Sequence, residues 1–324
     1  MTDVTRIYGD IKIFAGTSHL ELAEAIAQHL RVALCPREII QFPNDNIFVR
    51  LLTSVRGQDV FIIQTLCAPV SHHIMELLIL LDTVKRASAG RITAVMPYFA
   101  YGRSDKKDQP RVPITARLIA DIVTTAGADR FLTLDLHAGQ IQGFFSIPGD
   151  EVSTFHVLSD YFLGKHLDEQ PGGAVVVTAD LGYAKKGRNF AEKLKLPMAF
   201  VEKRRTGNDA KAQALTVIGD VEGRTAILVD DEVDTAGSMT GAVNILKSSG
   251  AGDIYLCFTH AILSPPAADR LRVLPIKEIV TTDSVPVPSD RRLPNMKVLS
   301  VAGLLGDVMK RIHYRESVGQ MFNE

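Results

Sequence analysis

The sequence predicts an α/β protein of two similar domains, each a mostly parallel sheet flanked by helices. Short apolar runs alternate with segments whose apolar residues recur at helical spacing, which is typical of parallel α/β sheets. The length of 324 residues exceeds one ordinary domain and suits two of about 150 residues each. We place the domains at residues 1–150 and 151–300, and we expect the last helix, within 301–324, to pack back on the first domain.

The elements follow one another in this alternation along the chain. The predicted strands span 11–15, 47–53, 59–64, 91–96, 130–136, 174–178, 225–229 and 253–259. The predicted helices span 18–30, 72–87, 113–126, 154–165, 187–194, 239–250 and 301–312. Ser18 with Glu21 three positions later has the pattern of a capping box for the first helix. Segments 97–110 and 203–208 are predicted to be loops.

Composition narrows the class of protein. A net charge of −1 gives no broad electrostatic surface for nucleic acid or a membrane. The three cysteines, Cys35, Cys67 and Cys257, are too few and too scattered for a disulfide framework or a zinc site, which suits a reducing cytosol. The sequence has neither a secretory signal pattern nor an apolar run long enough to span a bilayer. We therefore expect a cytoplasmic protein that binds neither nucleic acid nor membranes.

The most informative stretch begins where the strand 225–229 ends in two carboxylates, Asp230 and Asp231. A turn of small and hydroxylated residues follows and leads into a helix, so backbone N–H groups and the positive end of the helix dipole converge on one spot that suits a phosphate. The two carboxylates would repel that phosphate but can accept hydrogen bonds from sugar hydroxyls. The stretch predicts a site for a phosphorylated sugar. Two alternatives stay open: the acids hold Mg²⁺ in another kind of phosphate-transfer protein, or they cap the helix beside solvated neighbours.

Other polar residues fall at the same kind of position. Parallel α/β sheets bind ligands beyond the carboxyl ends of their strands. His137 and Asp180 follow predicted strands directly, and Arg103 lies in the loop after another. The coincidence of these positions with the sugar-phosphate turn indicates one extended polar site.

At this point the sequence resembles a known family, the ribose-phosphate diphosphokinases, also called phosphoribosyl pyrophosphate synthetases. The matching segments occur in the order of the family and cover nearly the whole chain. They are VRGQD at 55–59, RASAGRITAV at 86–95 with Pro97 and Tyr98, DLHA at 135–138, QIQGFF at 140–145, KRR at 203–205, IGDV at 218–221 with Gly223 and Arg224, and the turn 230–238. A phosphoribosyltransferase shares the turn but not the other segments.

The resemblance implies a fold similar to two type I phosphoribosyltransferase domains, with the nucleotide on the N-terminal side and ribose 5-phosphate on the C-terminal side. It implies that the anomeric hydroxyl of ribose 5-phosphate attacks the β-phosphorus of ATP and releases AMP, with Mg²⁺ as cofactor. It also implies a homo-oligomer, a hexamer in the family. By resemblance, the catalytic residues are Lys203, Arg205 and His137; the ribose 5-phosphate site is Asp230, Asp231, Asp234, Thr235, Ala236, Gly237 and Ser238; the nucleotide site is Phe42, Asn44, Asn46, Arg103, Ser104, Asp105 and Lys106; and the metal residues are His137 and Asp180.

The sequence departs from the family at the segment that reads adenine. Phe42 is followed by Asn44 and Asn46, where the family usually has two acids. A carboxylate only accepts hydrogen bonds, whereas an amide both accepts and donates, so we expect a changed nucleotide preference. Ser104 also stands where glutamine is commoner. Two other functions stay open at this stage: a regulatory, catalytically weak relative of the synthetase, and a phosphoribosyltransferase.

Overall fold

The computed structural model describes residues 7–179, 182–205 and 213–321. The chain divides into two compact units. Unit 1 holds the chain up to Ser153 together with the segment that begins at Ser300, and unit 2 holds Thr154–Leu299.

Unit 1 contains a parallel five-stranded sheet and a separate hairpin. Its strands are β1 (Ile11–Ala15), β2 (Arg37–Gln41), β3 (Ile47–Leu51), β4 (Asp59–Ile63), β5 (Arg91–Met96), β6 (Arg130–Leu134) and β7 (Gly149–Val152). Its helices are α1 (Leu20–Leu30), α2 (Val70–Arg86), α3 (Thr115–Ala126) and α8 (Ala302–Tyr314), numbered along the whole chain, with a 3-10 turn at Gly139–Phe144 and another at Gly319–Met321. The strand order in the sheet is β1-β4-β5-β6-β7, with every pair parallel.

Helices cover both faces of this sheet. Along β4, Val60 and Ile62 pack toward α2 and α3, whereas Phe61 and Ile63 pack toward α1 and α8. Successive side chains of a strand point to opposite faces, so a strand covered on both faces needs apolar residues throughout. This double burial explains why β4 is recognisable in the sequence as a continuous apolar run.

Strands β2 and β3 form an antiparallel hairpin outside the main sheet. The prediction included β3 but not β2, whose sequence is two charged residues followed by two isoleucines and a glutamine and shows no strand periodicity. Ile40 and Phe48 face each other across the pair and remain 37% and 41% exposed. The hairpin therefore presents apolar side chains on its surface.

Unit 2 contains a seven-stranded sheet with helices on both faces. Its strands are β8 (Ala174–Thr178), β9 (Met198–Arg205), β10 (Gln213–Ile218), β11 (Thr225–Val233), β12 (Ile254–Ala261), β13 (Glu278–Thr282) and β14 (Met296–Leu299). Its helices are α4 (Phe155–Leu163), α5 (Ala184–Leu194), α6 (Gly237–Ser248) and α7 (Ala267–Arg272), with a 3-10 turn at Leu167–Glu169. The strand order is β10-β9-β8-β11-β12-β13-β14, and only the edge pair β9–β10 is antiparallel.

Two local predictions are wrong. The first helix begins at Leu20 after His19, whose side chain accepts the N–H of Leu22, so Ser18 does not cap it. The Ser18 hydroxyl instead donates to Gln64 and accepts from the backbone of Thr65, because the turn is held by the neighbouring strand end. The basic segment 203–208 is not wholly a loop either, since its first three residues continue β9 in its pairing with β10.

None of the helices in the described ranges is both long and apolar enough to cross a bilayer. Cys35, Cys67 and Cys257 are not joined in disulfide bonds. Burial raises the pKa of Cys67 to about 11, so this thiol stays protonated at neutral pH and is a poor nucleophile.

Candidate active site

The turn after β11 has the shape of an anion site. Ala236 adopts a left-handed conformation, with φ 60° and ψ 15°, and the next residue, Gly237, begins helix α6. A left-handed residue followed by a helical one turns successive backbone N–H groups toward a common point, a concavity that binds anions. The helix behind it adds the positive end of its dipole. Thr235, Gly237 and Ser238 are exposed, so the concavity opens to solvent.

The acid pair lies at the end of the longest strand of unit 2. Strand β11 continues through Asp230 and Asp231 to Val233 and does not end at Val229, as the sequence suggested. Asp231 is only 5% exposed, and its N–H donates to the Asp230 carboxylate at 2.9 Å. The ladder with β12 thus holds both carboxylates on a rigid strand beside the turn. Asp234, half-buried, connects the strand to the turn.

An arginine that the sequence did not single out touches this turn. Arg270 of α7 donates from Nη1 to the carbonyl oxygen of Thr235 at 2.8 Å. The same nitrogen lies 3.6 Å from the point that a Cβ atom on Gly237 would occupy. No local pattern around Arg270 predicts this contact, because it is made across 35 residues of sequence.

In unit 1 the structure brings His137 and the segment around Arg103 together. His137 follows β6 and is exposed. The loop after β5 approaches it closely, since a Cβ atom on Gly102 would lie 3.3 Å from the His137 Cβ. Asp105 is buried and accepts a hydrogen bond from Gln140 at 2.6 Å. Two sequence segments predicted to form one site are therefore joined directly.

The other residues of these two segments anchor the loops or lie at the surface. The Ser104 carbonyl accepts the N–H of Ala116 at the start of α3, which anchors the loop to a helix. Glu151 of β7 accepts the backbone N–H of Leu136 at 2.9 Å and also the side chain of Gln142. Arg103 and Lys106 are exposed at the surface of the loop.

The hairpin carries the segment predicted to read the base. Phe42 is 44% exposed and lies 6.3 Å, centroid to centroid, from Phe48. Between them the chain makes a tight turn in which Asp45 has φ 62°. The side-chain oxygen of Asn44 accepts the N–H of Asn46 at 3.3 Å. Asn44 is therefore bound within its own turn through its side-chain oxygen.

A buried polar cluster at the carboxyl ends of β1 and β4 was also missed. The fully buried Glu76 accepts bonds from the Thr17 N–H, the Thr17 hydroxyl and the Gln64 amide at 2.6, 2.7 and 2.8 Å. Arg37, at the base of the hairpin, donates to the carbonyl oxygens of Ala15 and Gly16. These bonds join the hairpin to the end of the sheet, and only the tertiary fold brings them together.

The other predicted catalytic and metal residues are described in part. The backbones of Lys203 and Arg205 lie in β9, paired with Leu215 and Gln213. Asp180 and the segment 206–212 lie outside the described residues. Within the described ranges no group of three or more histidine, cysteine, aspartate or glutamate side chains is arranged to hold a metal ion.

Comparison with known proteins identifies the class. The structure is similar to phosphoribosylpyrophosphate synthetase from Mycobacterium smegmatis, with a TM-score of 0.89, 41% identity and coverage of 95% of this chain and 100% of that one. The fold is thus of the phosphoribosyltransferase type, with mostly parallel sheets flanked by helices. Residues 11–127 match the N-terminal domain of ribose phosphate pyrophosphokinase, and residues 206–323 match the phosphoribosyl synthetase-associated domain.

Relatives that match this chain over nearly their whole length belong to the same class. The ribose-phosphate pyrophosphokinase of Caldanaerobacter subterraneus subsp. tengcongensis is 47% identical over 319 residues, covering 98% of this chain and 100% of the relative. That of Clostridium acetobutylicum is 47% identical over 315 residues, covering 97% and 98%. The chain belongs to the ribose-phosphate pyrophosphokinase family, and it is an enzyme of the diphosphotransferase class.

Proposed function

We propose that this chain transfers the β,γ-diphosphoryl group of ATP to the anomeric hydroxyl of ribose 5-phosphate. The bond from the anomeric oxygen to the β-phosphorus forms while the bond from that phosphorus to the α–β bridging oxygen breaks, which gives phosphoribosyl pyrophosphate and AMP. The observation that carries the proposal is the turn after β11, where an anion concavity stands beside the two acids of a rigid strand. Family membership supports the same activity.

In unit 2 we assign ribose 5-phosphate to residues 230–238. The N–H groups of the left-handed Ala236 and of the residues after it, with the hydroxyls of Thr235 and Ser238, receive the 5-phosphate. Asp230 and Asp231 accept hydrogen bonds from the ribose hydroxyls, and Asp234 lies between the two groups. The sugar is then held at two points, through its 5-phosphate and through its hydroxyls, and its anomeric oxygen is free to react. Holding the sugar in a fixed orientation lowers the entropic cost of the transfer.

In unit 1 we assign the nucleotide to the loop after β5 and the hairpin. Arg103 and Lys106 are exposed cations suited to a triphosphate, and Arg103 can donate two parallel hydrogen bonds to it. Phe42 offers an exposed ring on which a base stacks. Asp105 and Ser104 serve this site by shaping the loop, through Gln140 and α3.

The metal of this reaction is Mg²⁺, which we assign to His137 and Asp180. Mg²⁺ usually keeps several waters and binds one or two carboxylates, here Asp180, together with substrate phosphates, so a large protein cluster is not required. The exposed His137 beside the Arg103 loop fits such a substrate-borne ion. When bound, the ion neutralises charge on the phosphate oxygens. The chain itself orients the nucleotide and the sugar phosphate, and it supplies the cations Lys203 and Arg205.

We further propose that units 1 and 2 correspond to the nucleotide and sugar-phosphate domains of a cytoplasmic homo-oligomer, a hexamer by family resemblance. The free cysteines support a reducing compartment. The exposed apolar hairpin supports association between copies.

The direct test measures AMP release with ribose 5-phosphate, ATP and Mg²⁺. Turnover well above that of a Lys203→Ala control supports the synthetase. Turnover no higher than the control would indicate a regulatory relative instead. Consumption of phosphoribosyl pyrophosphate with a nucleobase, in the absence of ATP, would indicate a phosphoribosyltransferase.

The asparagines at 44 and 46 lead to a prediction on nucleotide choice. We expect kcat/KM for ATP to exceed kcat/KM for GTP by less than about a hundredfold. The reason is that amide side chains both accept and donate hydrogen bonds, whereas carboxylates only accept them. Steady-state assays with both nucleotides measure this ratio. A preference for ATP above about a hundredfold, roughly 2.7 kcal/mol, contradicts the idea. The matched control is Asn44→Asp with Asn46→Asp, which should raise the preference for ATP.

Asp231→Ala is expected to weaken ribose 5-phosphate binding by about 10- to 100-fold and to leave ATP binding unchanged. The substitution removes a charged acceptor, and a hydrogen bond to a charged group contributes about 1.5–3 kcal/mol. Substrate titrations at fixed concentrations of the other substrate separate the two effects. Asp253→Ala is the control, because this exposed carboxylate lies at the opposite end of the same sheet. Equal losses for both substrates would show that Asp231 supports the fold and not the sugar.

A further inference from the structure

Arg270 lies on a firmly anchored element beside the sugar-phosphate turn. Helix α7 is fixed by Ala267 and Leu271, which are 0% and 2% exposed and pack in the same core as Ala236 and Met239. The Arg270 side chain is exposed to solvent on its outer side, yet its guanidinium donates to the Thr235 carbonyl at 2.8 Å. The contact therefore ties the turn to a rigid platform.

The segment that leads into α7 holds the turn at a second point. The N–H of Leu263 donates to the carbonyl oxygen of Val233 at 3.0 Å, and Arg270 donates to that of Thr235. The C=O and N–H groups of a trans peptide point in opposite directions. Holding the Thr235 carbonyl on the α7 side therefore directs the N–H of Ala236 to the other side, where it belongs to the anion concavity.

The electrostatics of this contact favour an anion. A cation near the N-terminus of a helix opposes the dipole of that helix and is better placed at a C-terminus. The Arg270 guanidinium nevertheless lies within 3.6 Å of the Cβ position of Gly237, the first residue of α6. Its neighbour Arg272 behaves differently, since it pairs with Asp269 at 2.7 Å on the surface. The position of Arg270 becomes favourable once a negative charge occupies the concavity.

We propose that Arg270 is a positioning residue for the 5-phosphate: it holds the Thr235 peptide so that the turn is preorganised to receive the anion. This inference rests on the proposed function, because it assumes that ribose 5-phosphate binds at residues 230–238. It adds a residue from outside that segment to the sugar-phosphate site. The role is indirect, since Arg270 acts through the backbone of the turn.

The test measures ribose 5-phosphate binding by calorimetry and the steady-state constants of the full chain. Arg270→Ala is expected to raise the Kd and KM for ribose 5-phosphate about tenfold or more. This change has the size expected for loss of one hydrogen bond from a charged donor. The KM for ATP should change less than about twofold. Arg270→Lys should recover part of the loss, because its ammonium also donates to a carbonyl. Arg272→Ala, which removes the same charge from the same helix, should leave all constants near wild type.

Thermal unfolding separates positioning from a purely structural role. Without ligand, Arg270→Ala should unfold within a degree or two of wild type, because loss of the hydrogen bond to Thr235 is offset by removal of a guanidinium that opposes the α6 dipole. The stabilisation produced by added ribose 5-phosphate should be clearly smaller than in wild type. An Arg270→Ala variant that binds ribose 5-phosphate like Arg272→Ala overturns the inference, and so does one that loses stability without losing affinity. If wild-type chain neither binds ribose 5-phosphate nor forms phosphoribosyl pyrophosphate, the proposed function fails and the inference fails with it.

Discussion

Lys203→Ala and Arg205→Ala are each expected to lower kcat by about 10²- to 10³-fold, with smaller changes in the KM for either substrate. Cations delivered to the bridging and equatorial oxygens of the transferred group stabilise charge that develops only in the transition state, and loss of one such contact has effects of this size in other enzymes. Phosphoryl-type transfers depend mainly on positioning and charge neutralisation, so few other groups compensate.

Initial-rate measurements of AMP formation over both substrates give the two constants separately. Lys193→Ala is the matched control, since this exposed lysine of α5 pairs with Asp160 on the surface at 3.7 Å. A variant of Lys203 or Arg205 that raised KM alone would show that the residue binds the ground state. The proposed role in the transition state would then be wrong.

Asp59→Ala is expected to destabilise unit 1 by about 3–5 kcal/mol, the usual cost when one partner of a buried ion pair is removed. The Asp59 carboxylate is fully buried and accepts from Arg91 through both oxygens, with an Nε–Oδ1 distance of 2.8 Å. His313 of α8 contacts the same carboxylate at 2.8 Å, and Arg91 also donates to the carbonyl oxygen of Ile312. Removal of Asp59 leaves the Arg91 guanidinium, whose side chain is only 12% exposed, without its carboxylate partner.

Thermal unfolding measures this loss as a fall in Tm of at least about 6 °C, since about 1 kcal/mol corresponds to about 2–4 °C in a domain of this size. Asp82→Ala is the control, because its pair with Arg86 lies on the surface, 49% and 78% exposed, where ion pairs contribute little. Asp59→Asn combined with Arg91→Met should recover part of the loss by removing the isolated charge. Equal Tm values for Asp59→Ala and Asp82→Ala would show that the cluster does not hold α8 to the sheet.

Much of the fold could be predicted from the sequence because it depends on patterns among residues that are close in the chain. Strands β5 and β8 were predicted at their observed bounds, since strands buried on both faces are continuous apolar runs. The turn before α6 was recognised for the same reason, as strand, acids, small residues and helix follow one another directly. Strand β2 was missed because its partly exposed residues carry neither a continuous apolar run nor a buried face. The Ser18 capping box was wrong because the side chain of Gln64, the residue after β4, accepts a hydrogen bond from that hydroxyl.

By itself, the sequence determined the α/β class, the strand–turn–helix segment that contains residues 230–238 and, through its motifs, the family. Each of these depends on residues that are close in the chain and whose spacing reflects strand or helix geometry. Only the tertiary structure decided which distant groups bond to one another: Gln140 with Asp105 and Arg270 with Thr235 at the candidate site, and His313 with Asp59, across 254 positions, where α8 meets the sheet. Such hydrogen bonds depend on how the helices and strands pack, because packing decides which carbonyl or carboxylate lies within reach of a side chain. The periodicity of the sequence does not predict these contacts.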